Sequence, residues 1–202
     1  MRILLTITFL CLGLAAPSSV VADQFTEIKA RLAESNCTRF EFRSILFSSI
    51  FKQTDTSRGT AYIARDGRYR INLGPDQYVN DGSYLYSYSP SSNQVVMQKA
   101  DSTTAFSKEV SYLTRLDEFF KTIILKANSE YRLIKLTDRM QNLPDSMNLV
   151  INKKARTIER IEYFDINDEK VRIEFLKQTT GSECDDKQLA PDFPDSAERV
   201  KL

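Results

Sequence analysis

The chain has 202 residues, with 28 Lys and Arg against 27 Asp and Glu, a formal net charge of +1. Such a balance supplies no basic field for a nucleic-acid backbone, and the absence of histidine removes Ser-His-Asp and Cys-His catalysis and most zinc sites. There is also no G-x-x-x-x-G-K-[ST] and no strand-linked G-x-G-x-x-G, so nothing points to nucleotide chemistry.

Residues 1–22 read as a signal peptide. Arg2 opens an apolar run over 3–16, and Val20-Val21-Ala22 ends in the small-x-small pattern that predicts cleavage before Asp23. The run is too short to span a bilayer comfortably. Thr8-Phe9-Leu10 ahead of Cys11 lacks the small residues of a bacterial lipobox, which predicts an exported, unanchored product. Residues 23–202 then form one domain. Loss of Arg2, the only charged residue of the leader, brings the net charge to zero. Cys37 and Cys184 remain. An even pair in an exported chain predicts a disulfide, here from the start of the first strand to the C-terminal segment, with two free thiols as the alternative.

Residues 23–35 predict a helix, with Phe25, Ile28 and Leu32 on one face. Residues 38–53 predict a long strand in which Phe40 and Phe42 alternate with Arg39, Glu41 and Arg43. The phase then blurs through Ile45, Leu46, Phe47, Ile50 and Phe51, and a bulge near Ser44 restores it.

Residues 59–97 organise the rest. Four apolar runs lie between turn signals at Asp66-Gly67, Gly74-Pro75, Asp81-Gly82 and residues 90–93. Tyr69, Ile71 and Leu73 alternate with Arg68, Arg70 and Asn72, the period of a half-buried strand. Tyr84, Tyr86 and Tyr88 repeat the pattern, with Leu85 on the opposite face. An antiparallel meander with a largely aromatic inward face follows.

Residues 101–111 read as a polar loop. Over 111–127, Tyr112, Leu113, Leu116, Phe119, Phe120, Ile123 and Ile124 form a broad stripe that predicts a second amphipathic helix, either a core helix or a hinged lid. Residues 130–137, 146–152, 157–166 and 170–179 predict four more strands, followed by a polar tail over 181–202. Asp165 with Asp168 and Glu169, and Asp185 with Asp186, are acidic pairs in predicted turns and tail, where carboxylates are ordinarily solvated. The chain therefore reads as an exported binding protein, not an enzyme, with no cofactor. Nine or more short strands with two amphipathic helices indicate an α+β domain, and periodicity alone leaves sandwich and barrel both open.

Gly59, Tyr62, Arg65 and Tyr69, then Asp81-Gly82, Tyr86, Tyr88, Pro90 and Gln94-Val95, follow the order glycine, aromatic, arginine, aromatic, then D-G-x-x-x-aromatic-x-aromatic-x-P-x-x-x-Q. Phe193-Pro194 matches a terminal Phe and Pro segment. On these residues the chain resembles the periplasmic outer-membrane lipoprotein carriers (LolA-like). It departs where Tyr62 and Tyr86 stand in place of the usual Trp, and where Asp66 stands in place of a Pro.

The resemblance implies a half-open antiparallel β-barrel (LolA/LppX-like), with amphipathic helices covering an apolar cavity. It implies a soluble periplasmic chaperone that shields the acyl chains of lipoproteins and moves them from inner to outer membrane, and a monomer is expected. Cargo would come from an inner-membrane ABC transporter and pass to an outer-membrane receptor. Each buried methylene contributes about 0.8 kcal/mol, so three long chains hold a lipoprotein in its membrane by roughly 30 kcal/mol. A carrier therefore needs a continuous apolar cavity. By the same resemblance Arg65 is the latch of the closed form, its five donors holding lid carbonyls. Phe25, Ile28, Leu46, Phe47, Tyr69, Ile71, Tyr86, Phe119 and Phe120 are the expected acyl-cavity residues. The alternatives are a lipoprotein-sensing regulatory domain, a partner-binding β domain without carrier activity, and an anchored outer-membrane receptor of the same fold.

Overall fold

A computed structural model of the chain describes residues 23–100, 110–126, 129–136, 143–181 and 184–202. The expected signal peptide and most of the polar loop over 101–111 lie outside them. Helix α1 (Gln24–Glu34) is followed by β1 (Cys37–Ser48), β2 (Gln53–Ala64), β3 (Tyr69–Leu73), β4 (Asp76–Asn80), β5 (Tyr84–Ser89) and β6 (Gln94–Lys99). A 3-10 turn (Ser111–Arg115) and the one-turn helix α2 (Leu116–Phe119) lead into β7 (Phe120–Lys126) and β8 (Glu130–Lys135). Then come β9 (Ser146–Asn152), β10 (Thr157–Phe164), β11 (Lys170–Gly181), α3 (Asp186–Leu189) and β12 (Glu198–Lys201).

The strands form one sheet in the order β12-β6-β5-β4-β3-β2-β1-β11-β10-β9-β8-β7, antiparallel except for β12, which runs parallel to β6. Its ends, β12 and β7, do not pair with each other, so the sheet is open. Glycines at the tight turns meet the backbone demand of the meander. Gly67 and Gly82 take φ of 94° and 92°, a region that costs a glycine nothing. Asn80 ties these two turns together, donating from Nδ2 to the Gly67 carbonyl (3.2 Å) and accepting at Oδ1 from the Gly82 N–H (2.8 Å).

One face of the sheet carries the main core. Phe25, Ile28 and Leu32 of α1 and Tyr112, Leu113 and Leu116 pack there with Phe40, Phe42, Ile71, Leu133 and Leu149. Lys29 of α1 forms a salt bridge with Asp117 of α2, joining the two segments. The opposite face carries a smaller cluster of Val79, Tyr88, Val95, Phe193 and Ala197, with Tyr86 packed against it. The C-terminal segment thus covers the outside of the meander.

Three expectations are corrected. The stripe over 111–127 is not one helix. It breaks at Phe119, and Phe120–Lys126 continues as an edge strand against β8. The β-branched run Thr122-Ile123-Ile124 favours the strand, and only the first part of the stripe, through Phe120, is buried. The irregularity expected near Ser44 lies between Glu41 and Phe42, and the extra residue is Leu176 of the partner strand, because Glu41 faces Lys177 while Phe42 faces Phe175. Finally, the tyrosines of β5 turn to the outer face. Tyr86 and Tyr88 stack on Phe193 with ring centroids 5.9 and 5.6 Å apart, while Leu85 joins the main core.

Candidate functional site

The main-core side of the sheet is not filled along its whole length. Near Cys37, where β1 pairs with Ala64 of β2 and Gly181 of β11, side chains from α1 close the core. Toward the far end of β1 the packing gives way to a cavity of about 650 Å³. That volume falls in the range of small-ligand sites, about 300–1,000 Å³. Leu46, Leu73, Leu85, Tyr69, Tyr112 and Val171 supply apolar and aromatic wall, and Ser44, Ser57 and Gln98 supply uncharged polar wall. Asp55 of β2 and Asp165, Ile166 and Asn167 of the β10–β11 turn border it.

The alternation of β1, β2 and β3 explains the placement. Ser44 faces Ser57 and Leu46 faces Asp55 across the β1–β2 ladder, so consecutive inward positions continue past the packed core into the cavity. Tyr69 opens β3 at the cavity floor. Burial alone pushes its phenol well above the ordinary tyrosine range, so it stays neutral in physiological conditions. The hairpin turns nearby carry exposed apolar side chains: Ile50, Phe51 and Ile166 are 76%, 71% and 83% exposed, while Phe47 and Phe164, next in sequence to the cavity-lining Leu46 and Tyr163, are exposed on the opposite face.

Of the expected acyl-cavity residues, Leu46, Tyr69 and Tyr86 border the cavity. The ring of Tyr86 nonetheless packs on Phe193, and its hydroxyl donates to Asp81 Oδ2 at 2.9 Å. Phe25, Ile28, Ile71, Phe119 and Phe120 belong to the packed core, and Phe47 is exposed on β1. Leu73, Leu85 and Tyr163 line the cavity without having been singled out from the sequence. The alternation Tyr69-Ile71-Leu73 already carried the signal for Leu73.

Arg65 lies at the other end of the strands, exposed in the β2–β3 turn. Its backbone N–H donates to the Asn36 carbonyl (3.1 Å) just past α1. The guanidinium shares a shallow cleft with Asn36 and Cys184 and has no hydrogen-bond partner among the described residues. Cys37 and Cys184 form a disulfide there, with Cα atoms 5.0 Å apart.

A family model described as outer membrane lipoprotein carrier protein LolA matches residues 35–191. The chain belongs to the LolA family. No curated protein matches it at significant similarity. Among solved structures, an uncharacterized conserved protein from Thermus thermophilus aligns at 13% identity and TM-score 0.53, covering 88% of this chain and 99% of that one. A LolA superfamily protein from Nitrosomonas europaea aligns at 8% identity and TM-score 0.45 over 82% and 97%. MucB, in its complex with MucA from Pseudomonas aeruginosa, aligns at 11% identity and TM-score 0.39 over 84% and 60%. The Thermus protein shares the fold, a large open antiparallel sheet with few helices.

Proposed function

We propose that this LolA-family chain is an exported periplasmic carrier that shields the acyl chains of lipoproteins on their way from inner to outer membrane. The observation that carries the reading is the cavity between β1–β3 and the β10–β11 turn, walled by Leu46, Leu73, Leu85 and Tyr69 and bordered by the exposed Ile166. An acyl chain that leaves a bilayer needs such a path, because each methylene left in water costs about 0.8 kcal/mol. The reading includes cleavage of residues 1–22, one folded unit over 23–202, hand-over from a membrane transporter and delivery to a receptor.

In this reading Arg65 is the latch that holds the empty form closed. Its fork of five donors suits it to hold several carbonyls at once, and it lies beside Asn36, between α1 and β1. Arg65→Leu should load cargo but pass it on poorly.

The test is a release assay. Membrane vesicles carrying acylated lipoprotein and an ATP-fuelled transporter are incubated with the protein, and soluble lipoprotein is measured. Release by the wild type and its loss in Leu85→Trp, which fills the cavity, support the carrier. No release by the wild type favours the partner-binding alternative.

A further inference from the structure

The carrier reading leaves open which acylated head the cavity accepts, and the charges at its mouth bear on that choice; this inference rests on that reading. Among the described residues, those lining the cavity include two carboxylates, Asp55 and Asp165, and no Lys or Arg. Asp165 is held in place because its Oδ1 accepts from the N–H groups of Asn167 and Glu169, both at 2.9 Å. Asp55 stands exposed on β2, directly across from Leu46 of β1. Three cations on neighbouring strands are committed to other acids. Lys170 and Arg172 both pair with Glu162, and Arg43 pairs with Glu174. The rest of the polar wall, Ser44, Ser57 and Gln98, is uncharged.

A ligand whose chain enters between Leu46, Leu73 and Leu85 therefore leaves its head beside two carboxylates, with no counter-cation among the described lining residues. An anionic head meets like charge in a partly desolvated mouth, which is costly. A neutral head finds hydroxyl and amide groups, and a cationic head finds both acids. We infer that the cavity selects amphiphiles whose head carries no net negative charge, and rejects anionic phospholipids and fatty acids. The lipid of an acylated cysteine fits this class, since its chains are held by ester, thioether and amide linkages and carry no phosphate. Selection of this kind keeps a cavity free of the anionic membrane lipids that would otherwise compete for it.

The test compares three ligands that share one palmitoyl chain: monopalmitoylglycerol, palmitoylcholine and palmitoyl-lysophosphatidylglycerol. Each is titrated, below its micellar concentration, against the purified protein by displacement of an uncharged fluorescent acyl probe. The first two should bind about tenfold tighter than the third at low salt, and the gap should shrink at high salt as the exposed carboxylates are screened. Asp55→Asn, which leaves the Asp165 turn intact, should raise lysophosphatidylglycerol affinity about three- to tenfold and leave monopalmitoylglycerol within about twofold. Equal binding of all three, or an Asp55→Asn ratio equal to wild type, overturns the selectivity while leaving the carrier reading in place. Binding of none of the three overturns the carrier reading and this inference with it.

Discussion

Gly59 sits directly opposite Phe42 across the β1–β2 ladder, and the Phe42 ring occupies the space a side chain at Gly59 would need: a Cβ there falls 2.3 Å from Cζ. Phe42 is fully buried, so its ring has no free volume to retreat into. The glycine of the family pattern is thus a packing requirement in this chain. The bare backbone of β2 lets an aromatic ring from β1 lie flat on the sheet beneath α1. Gly59→Ala should destabilise the fold by about 1–3 kcal/mol through overpacking. Chemical denaturation measures that loss. In a double-mutant cycle with Phe42→Leu, the cost of the alanine should fall, because the smaller side chain vacates the contested space.

The Cys37–Cys184 disulfide closes a loop of 147 residues. In the loop-entropy model this contributes about 5 kcal/mol. It anchors the segment that carries Phe193 and β12 onto the meander. Cys184→Ser should lower the unfolding free energy by that order, and the protein should show the same loss on reduction. Hydrogen exchange should report the earliest opening in β12 and β6.

Phe193 is the plug of the outer face, stacked on both Tyr86 and Tyr88. Phe193→Ala should cost about 3 kcal/mol. The chain has no tryptophan, so its near-ultraviolet circular dichroism comes chiefly from tyrosine and should weaken in the variant. Apart from Tyr86 at its border, the cavity is walled from the other side of the sheet, so acyl-ligand affinity should change less than stability.

Acid should weaken the fold through two carboxylates. Burial pushes Asp81 up, but the N–H groups of Tyr84 and Ser83 and the Tyr86 hydroxyl outweigh it and hold the group below its usual range. Glu162 is likewise pushed up by burial and brought below its usual range by Arg172 and Lys170. Because both are depressed in the folded state, their stabilisation is present above the unfolded values of about 4 and is lost as pH falls through the folded values. Denaturation midpoints should be flat near neutrality and drop below about pH 4. Asp81→Asn should give a lower neutral midpoint and a shallower acid drop.

The meander was legible because turn chemistry punctuates it: Asp66-Gly67 and Asp81-Gly82 fall between strands that alternate cleanly. The strand β7 was not, because Phe119, Phe120, Ile123 and Ile124 repeat at helical spacing although the last two lie on a sheet edge, partly exposed. Periodicity cannot separate these cases when a buried turn runs straight into a strand. The outward turn of Tyr86 and Tyr88 depended on Phe193, a residue more than 100 positions away in a tail that reads as polar. The four-residue strand β12 is likewise too short to show alternation. At the candidate site, Leu46 and Tyr69 were visible from their strands, whereas Asp55 and Asp165 acquire meaning only once the sheet curls both to one mouth.

The most direct measurement is native mass spectrometry of the protein purified from a periplasmic extract, with lipid extraction in parallel. An acylated ligand bound one to one, absent from Leu85→Trp purified the same way, is the predicted result. A clean unliganded mass from the wild type, with no uptake of added acylated peptide, would contradict the assignment of the cavity to acyl chains.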